Sequence, residues 1–309
     1  VSPAAAAEDD ADAAYSAYQR GRYIAAFREA TRRVEEDKDP KSMTLLAELY
    51  ADGLGVANDD KKAAEWYGLA AARGDREAMF ALSMFKMTGR GGPVDRPAAI
   101  RLLQQAVKLG HVLAAYDLSL LYLEGKLVPQ DVERAAKLMA MAATDGSPEA
   151  QYALATFYKE GRGVPKDIEE AARLLGLAAR AGNTPAQVEY GIALFNGTGV
   201  ARSETGAAEY FIKAAQKGSA PAQERLAMMY AFGRGIKADP IEAARWHLIA
   251  RAGGDSDPVL DKFMSGMKPL DRATAEDRAK PWIARMNPVG PTPFPTVPGK
   301  PTKAQAIKP

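Results

Sequence analysis

The chain has 309 residues, 47% hydrophobic and 26% charged, and its 41 basic and 39 acidic side chains leave a formal charge of +2. That balance gives no footprint for nucleic acid or an anionic membrane, and no apolar run approaches the length of a membrane span. The absence of cysteine excludes disulfides, thiolate metal sites and cysteine nucleophiles, and leaves the compartment open.

The sequence opens on Val1-Ser-Pro-Ala-Ala-Ala-Ala and then Glu8-Asp-Asp, a small-residue and then acidic run like the start of a mature exported bacterial protein. A bacterial periplasmic location is therefore expected, with a cytoplasmic protein cut at a domain edge as the alternative. Residues 1–10 are expected to be disordered. Residues 11–41 read as two helices joined at Gly21, forming an N-terminal helical cap.

From residue 42 to 254 the chain repeats itself. Gly74, Gly110, Gly146, Gly182, Gly218 and Gly254 fall 36 residues apart, as do Gly53, Gly89, Gly125, Gly161, Gly197 and Gly233. Two alanine series keep the same step, Ala63 to Ala243 and Ala70 to Ala250. A fixed period of this size predicts an all-α, right-handed superhelical solenoid of antiparallel helix hairpins, with six units in register.

Each unit reads as two helices. The first ends at a Gly-x-Gly turn, where glycine adopts the left-handed conformation that stops a helix. The second opens on a capping residue, Asp59, Asp95, Asp131, Asp167, Ser203 or Asp239 in turn. The alanines lie on one helix face, and Ala47, Ser83, Ser119, Ala155, Gly191 and Ala227 form another small series. A leucine at these places is expected to overpack the helix contact by about 1–3 kcal/mol.

The order of a small residue, a tyrosine, a Gly-x-Gly-Val turn, an aspartate, an Ala-Ala pair, an aromatic and a final glycine resembles the Sel-1-like repeat, a relative of the tetratricopeptide repeat. Leu46 to Gly74, Ala150 to Gly182 and Leu226 to Gly254 carry the pattern best. Lys86 and Leu194 depart from it at the tyrosine, and Leu127 at the second turn glycine. The resemblance implies a protein-interaction module, often periplasmic or surface-facing in bacteria.

Beyond residue 254 the register is lost. Residues 255–286 read as a C-terminal helical cap in which Phe263, Met264 and Trp282 cover the last repeat. Residues 287–309 hold seven prolines with Lys300, Lys303 and Lys308, and read as an extended, disordered tail.

The residues offer little for catalysis. His111 follows a period glycine and is expected to be exposed. His247 takes the position of Tyr67, Leu103, Met139, Leu175 and Phe211, and is expected to pack within a helix contact. The glycine turns lack the preceding strand and following Lys-Ser or Lys-Thr of a phosphate loop. Neither enzymatic activity, a cofactor nor a metal is expected.

Tetratricopeptide geometry, carried over from the resemblance, places the side chains two before, two after and five after Leu82 and its equivalents on a concave groove. This gives Thr44, Glu48 and Ala51; Phe80, Met84 and Met87; Tyr116, Leu120 and Leu123; Tyr152, Thr156 and Lys159; Val188, Ile192 and Phe195; and Glu224, Met228 and Ala231. Phe80, Met84, Met87, Tyr116, Leu120, Leu123, Tyr152, Ile192, Phe195 and Met228 are the candidate contacts for a partner protein's helix or extended segment. The expected function is a non-enzymatic scaffold or regulator of the cell envelope. Peptidoglycan binding or a cell-wall hydrolase is the alternative.

Overall fold

The computed structural model describes residues 13–286, and every regular element among them is a helix. The expectations for residues 1–10 and 287–309 lie outside these residues. The chain divides into two compact units, Val1–Ala181 and Gly182–Pro309.

In the first unit, α1 (13–19) and α2 (Tyr23–Asp37) precede four hairpins. Their first helices are α3 (Pro40–Asp52), α5 (Arg76–Thr88), α7 (Val112–Glu124) and α9 (Pro148–Glu160). Their second helices are α4 (Asp60–Ala72), α6 (Arg96–Lys108), α8 (Val132–Thr144) and α10 (Ile168–Arg180). The second helices begin where the aspartates place them, since Asp59, Asp95, Asp131 and Asp167 accept from the backbone N–H groups of Lys62, Ala98, Arg134 and Glu170. The first helices are capped by Asp39, Asp75, His111 and Ser147, and end on left-handed glycines.

His111 is therefore not an exposed turn residue. It is 4% exposed, its Nδ1 accepts from the Ala114 N–H at 3.0 Å, and its ring stacks on Phe80 at 4.5 Å between centroids. The repeat register identified the turn, but the imidazole replaces the capping aspartate or serine and is drawn inward by that bond.

The alanine series are buried, and the small series beside them is closed to solvent. Two of the second turn glycines, Gly91 and Gly163, have a further contact. A Cβ on Gly91 would lie 2.2 Å from the Asp60 carbonyl oxygen, and one on Gly163 would lie 2.5 Å from that of Val132. The turns at Gly91 and Gly163 thus rest on the first residue of the second helix in the hairpin before them. Leu127 breaks this series, and the only non-glycine with positive φ among the described residues is Lys38. The turn at Leu127 follows a different backbone path.

The second unit contains two hairpins, α11 (Thr184–Asn196) with α12 (Glu204–Gln216) and α13 (Ala220–Phe232) with α14 (Pro240–Ala252). The short α15 (Pro258–Ser265) and α16 (Pro269–Met286) follow. The core of this unit gathers Phe211, Leu226, Met229, Trp246, Ile249, Leu260 and Met264. Trp282 of α16 meets Trp246 edge-on at 5.6 Å, and Phe263 lies 6.4 Å from Phe232. The helix cap also shifts. Asp255 stands where Asp75, His111, Ser147 and Asn183 cap their helices, but α15 is capped two residues later by Asp257.

Candidate partner-binding cleft

Within the second unit, α11 and α13 enclose a cleft of about 440 Å³. Ile192 and Phe195 line it from the C-terminal half of α11, and Met228, Met229 and Phe232 from α13, with Phe211 of α12 also contributing. Ile192 and Met228 occupy equivalent positions of consecutive repeats, as do Asn196 and Phe232, whereas Ala231, the equivalent of Phe195, does not line the cleft. Phe232 is half exposed. Arg234 stacks its guanidinium over the Phe195 ring at 4.1 Å and is tied to Glu204. Arg234 and Arg202 together hold the Glu204 carboxyl below its ordinary pKa.

Polar groups gather at the other end. Glu224, Arg225, Asp255, Ser256 and Asp257 line the cleft there. Glu224 is 7% exposed, and its carboxylate oxygens lie 3.0 and 3.1 Å from His247 Nδ1. On the far side of the ring, Nε2 is 2.9 Å from Asp261 Oδ1. Ionised carboxylates only accept hydrogen bonds, so satisfying both requires the ring to donate from both nitrogens as an imidazolium. Burial alone would lower the pKa of His247. The hydrogen bonds and charges of Glu224 and Asp261 outweigh it, and the net shift is upward. An imidazolium with both nitrogens engaged has no lone pair with which to take a proton from Ser256 or from a substrate.

Ile192, Phe195 and Met228 are the sequence-derived candidates that this cleft brings together, with Glu224 from the same register. Phe80, Met84, Met87, Tyr116, Leu120, Leu123 and Tyr152 lie in the first unit on α5, α7 and α9. Met84 and Leu120 are exposed there, at 41% and 42%, whereas Phe80 is half covered by His111. Thr44 and Ala51, assigned to the groove by the same rule, are buried, and the Thr44 hydroxyl donates to the Pro40 carbonyl. Ala51 belongs to the buried core of the first unit, whereas Thr44 lines the wide cleft of that unit together with Glu48 of the same triplet.

The first unit also has a wide cleft of about 820 Å³, lined by Asp39, Thr44, Glu48, Asp75 and Glu77 among others. Burial, together with the charges of Asp52, Asp75 and Glu77, pushes Glu48 up to about 7. Among the described residues no group of three or more His, Asp or Glu is placed to hold a metal ion, and no helix is long and apolar enough to cross a membrane.

The Sel1 repeat model matches six consecutive segments, residues 40–75, 76–111, 112–147, 148–183, 184–219 and 220–255. The chain belongs to the Sel1 repeat family. Sel1 repeat proteins generally mediate protein–protein interactions and are typically non-catalytic scaffolds. The solved Sel1 repeat protein from Oxalobacter formigenes is 25% identical to this one, with a TM-score of 0.63 over 78% of this chain and 96% of that one. A protective antigen present in uropathogenic Escherichia coli strains, displaying an SLR fold, is 23% identical with a TM-score of 0.58, over 93% of this chain and 69% of that one. The second likeness concerns the fold alone. The chain matches none of the curated proteins with which it was compared.

Proposed function

We propose that this Sel1 repeat protein is a non-enzymatic scaffold or regulator of the bacterial cell envelope that binds a segment of a partner protein on the faces of its first helices. The observation that carries this reading is the cleft between α11 and α13, where Ile192, Phe195, Met228 and Phe232 surround a space of about 440 Å³. Apolar anchors entering such a space supply most of the affinity, and the charged groups at its ends set orientation. Met84 and Leu120 offer a second contact surface in the first unit.

The test is affinity capture from native envelope extract with the full chain. Wild type is compared with Met228→Glu and with the Met84→Glu, Leu120→Glu double variant, folding being verified by circular dichroism. A partner retained by wild type and lost with Met228→Glu supports the cleft. Loss only with the double variant moves the site to the first unit. Retention by all three, or pelleting of the chain with purified peptidoglycan alone, overturns the proposal.

A further inference from the structure

We infer that the cleft between α11 and α13 is a docking site for the protein's own C-terminal segment, residues 287–309, which competes there with any partner. The inference shares with the proposed function only the premise that this cleft takes up an extended chain.

The first observation is where α16 ends. A Cβ on Gly253 would lie 3.1 Å from Ala220 Cβ and 3.2 Å from Met286 Cε, so the last described residue is packed against the start of α13 and the end of α14. Pro221 follows Ala220 directly, and Asp255 is two residues beyond Gly253; both line the cleft. The segment therefore departs beside the rim. Phe294 is eight residues further on, and a proline-rich chain advances about 3.1 Å per residue, a reach of about 25 Å. Two residues of chain from Gly253 to Asp255 span at most about 7 Å.

The second observation is chemical complementarity. Residues 287–309 contain no aspartate or glutamate but hold Lys300, Lys303 and Lys308, and their one aromatic is Phe294, between Pro293 and Pro295. The cleft offers an apolar floor and, at the end where α16 arrives, Asp255 and Asp257. Asp255 is available to face it because the helix cap has moved to Asp257. The lining guanidinium groups are Arg225 and Arg234, and Arg234 is already paired with Glu204. Proline restricts the backbone of a chain whether bound or free, so binding a Pro-Phe-Pro sequence in an extended form costs little conformational entropy while Phe294 enters the apolar space.

Tethering makes even weak docking effective. At an effective concentration of about 1 mM, a segment that binds as a free peptide with a Kd of about 50 μM fills its site about 95% of the time and weakens binding in trans about 20-fold.

The experiment uses the full chain and a fluorescent peptide of residues 288–303, followed by anisotropy. Phe294→Asp in the full chain is expected to bind the peptide at least about tenfold more tightly than wild type. Met228→Glu or the half-exposed Phe232→Asp, added to Phe294→Asp, is expected to abolish binding. Two cleft variants keep the test decisive should one fail to fold. Equal affinity of wild type and Phe294→Asp, absence of peptide binding to Phe294→Asp, or binding indifferent to both cleft variants would each overturn the inference. A sedimentation coefficient that rises with concentration in wild type but not in Phe294→Asp would also overturn it, placing the segment in a second copy. Partner capture by the wild-type chain can persist through any of these outcomes, so failure here is distinguishable from failure of the proposed function.

Discussion

Gly191 of α11 faces Phe211 of α12, and a Cβ on the glycine would stand 2.7 Å from the phenylalanine ring. The other repeats have Ala or Ser at the first position and Tyr, Leu, Met or His at the second. Ser119 and Met139 show the same pairing, their Oγ and sulfur 3.8 Å apart. The glycine makes room for the ring. Gly191→Ala is therefore expected to destabilise the chain by about 1–3 kcal/mol in urea unfolding. Adding Phe211→Leu should recover much of that loss, although each change alone is harmful. Additive losses would show that the two side chains are not coupled.

His247 links α13, α14 and the start of α15 through Glu224 and Asp261, and Arg251 lies 3.7 Å from the same Asp261 oxygen. Because the folded-state pKa is raised above the ordinary value near 6.5, the stabilisation is complete below about pH 6.5 and is lost as pH rises through the folded value. The urea midpoint should fall with rising pH above 6.5, and His247→Leu should remove that slope. The variant should also cost about 3–5 kcal/mol by stranding the buried Glu224 carboxylate, and His247→Leu with Glu224→Leu should recover part of it. An unchanged pH slope in His247→Leu would count against the imidazolium.

Glu48 acts in a lower window. Its carboxyl moves from 4.5 to about 7 through burial and the charges of Asp52, Asp75 and Glu77. A raised acid favours the folded state fully below about pH 4.5 and loses that contribution up to about pH 7. Glu48→Gln keeps the shape without the charge, and is expected to raise stability at pH 8 by about 1–3 kcal/mol and to flatten the profile between pH 4.5 and 7. No gain at pH 8 would mean that the carboxylate is relieved in solution.

His111 is a helix cap made of an imidazole. Nδ1 accepts from Ala114, which leaves Nε2 to donate to Glu77 at 2.9 Å. His111→Ala is expected to cost about 1–2 kcal/mol, and His111→Asn to restore roughly the cap's share, about 1 kcal/mol. If asparagine is no better than alanine, the stacking on Phe80 rather than the cap holds this turn.

The repeat was readable in the sequence because the residues that set it are governed by local rules. Glycines stop the first helices, five aspartates and Ser203 open the second ones, and the buried alanine series recur where the helices pack. The register also carried Ile192 and Met228 to equivalent places on neighbouring helices, and Phe195 lines the same cleft although its equivalent Ala231 does not. Contacts that leave the repeat were not readable. Asp261 lies in α15, beyond the last period glycine, so no equivalent position in another repeat pointed to its contact with His247. His111 misled for a related reason. Its position was known, but position alone did not show that an imidazole nitrogen would serve as the capping acceptor.

The resting place of the second turn glycine has an evolutionary consequence. Gly91 lies on the first residue of α4, and Gly163 on that of α8, so these two turns are shaped by the hairpin before them as well as by their own. A single-residue insertion between turn and helix would disturb two hairpins at once, whereas duplication or loss of a whole 36-residue block would rejoin equivalent surfaces. Such a gene is expected to lengthen and shorten by entire repeats, with individual residues drifting only where the turns do not touch.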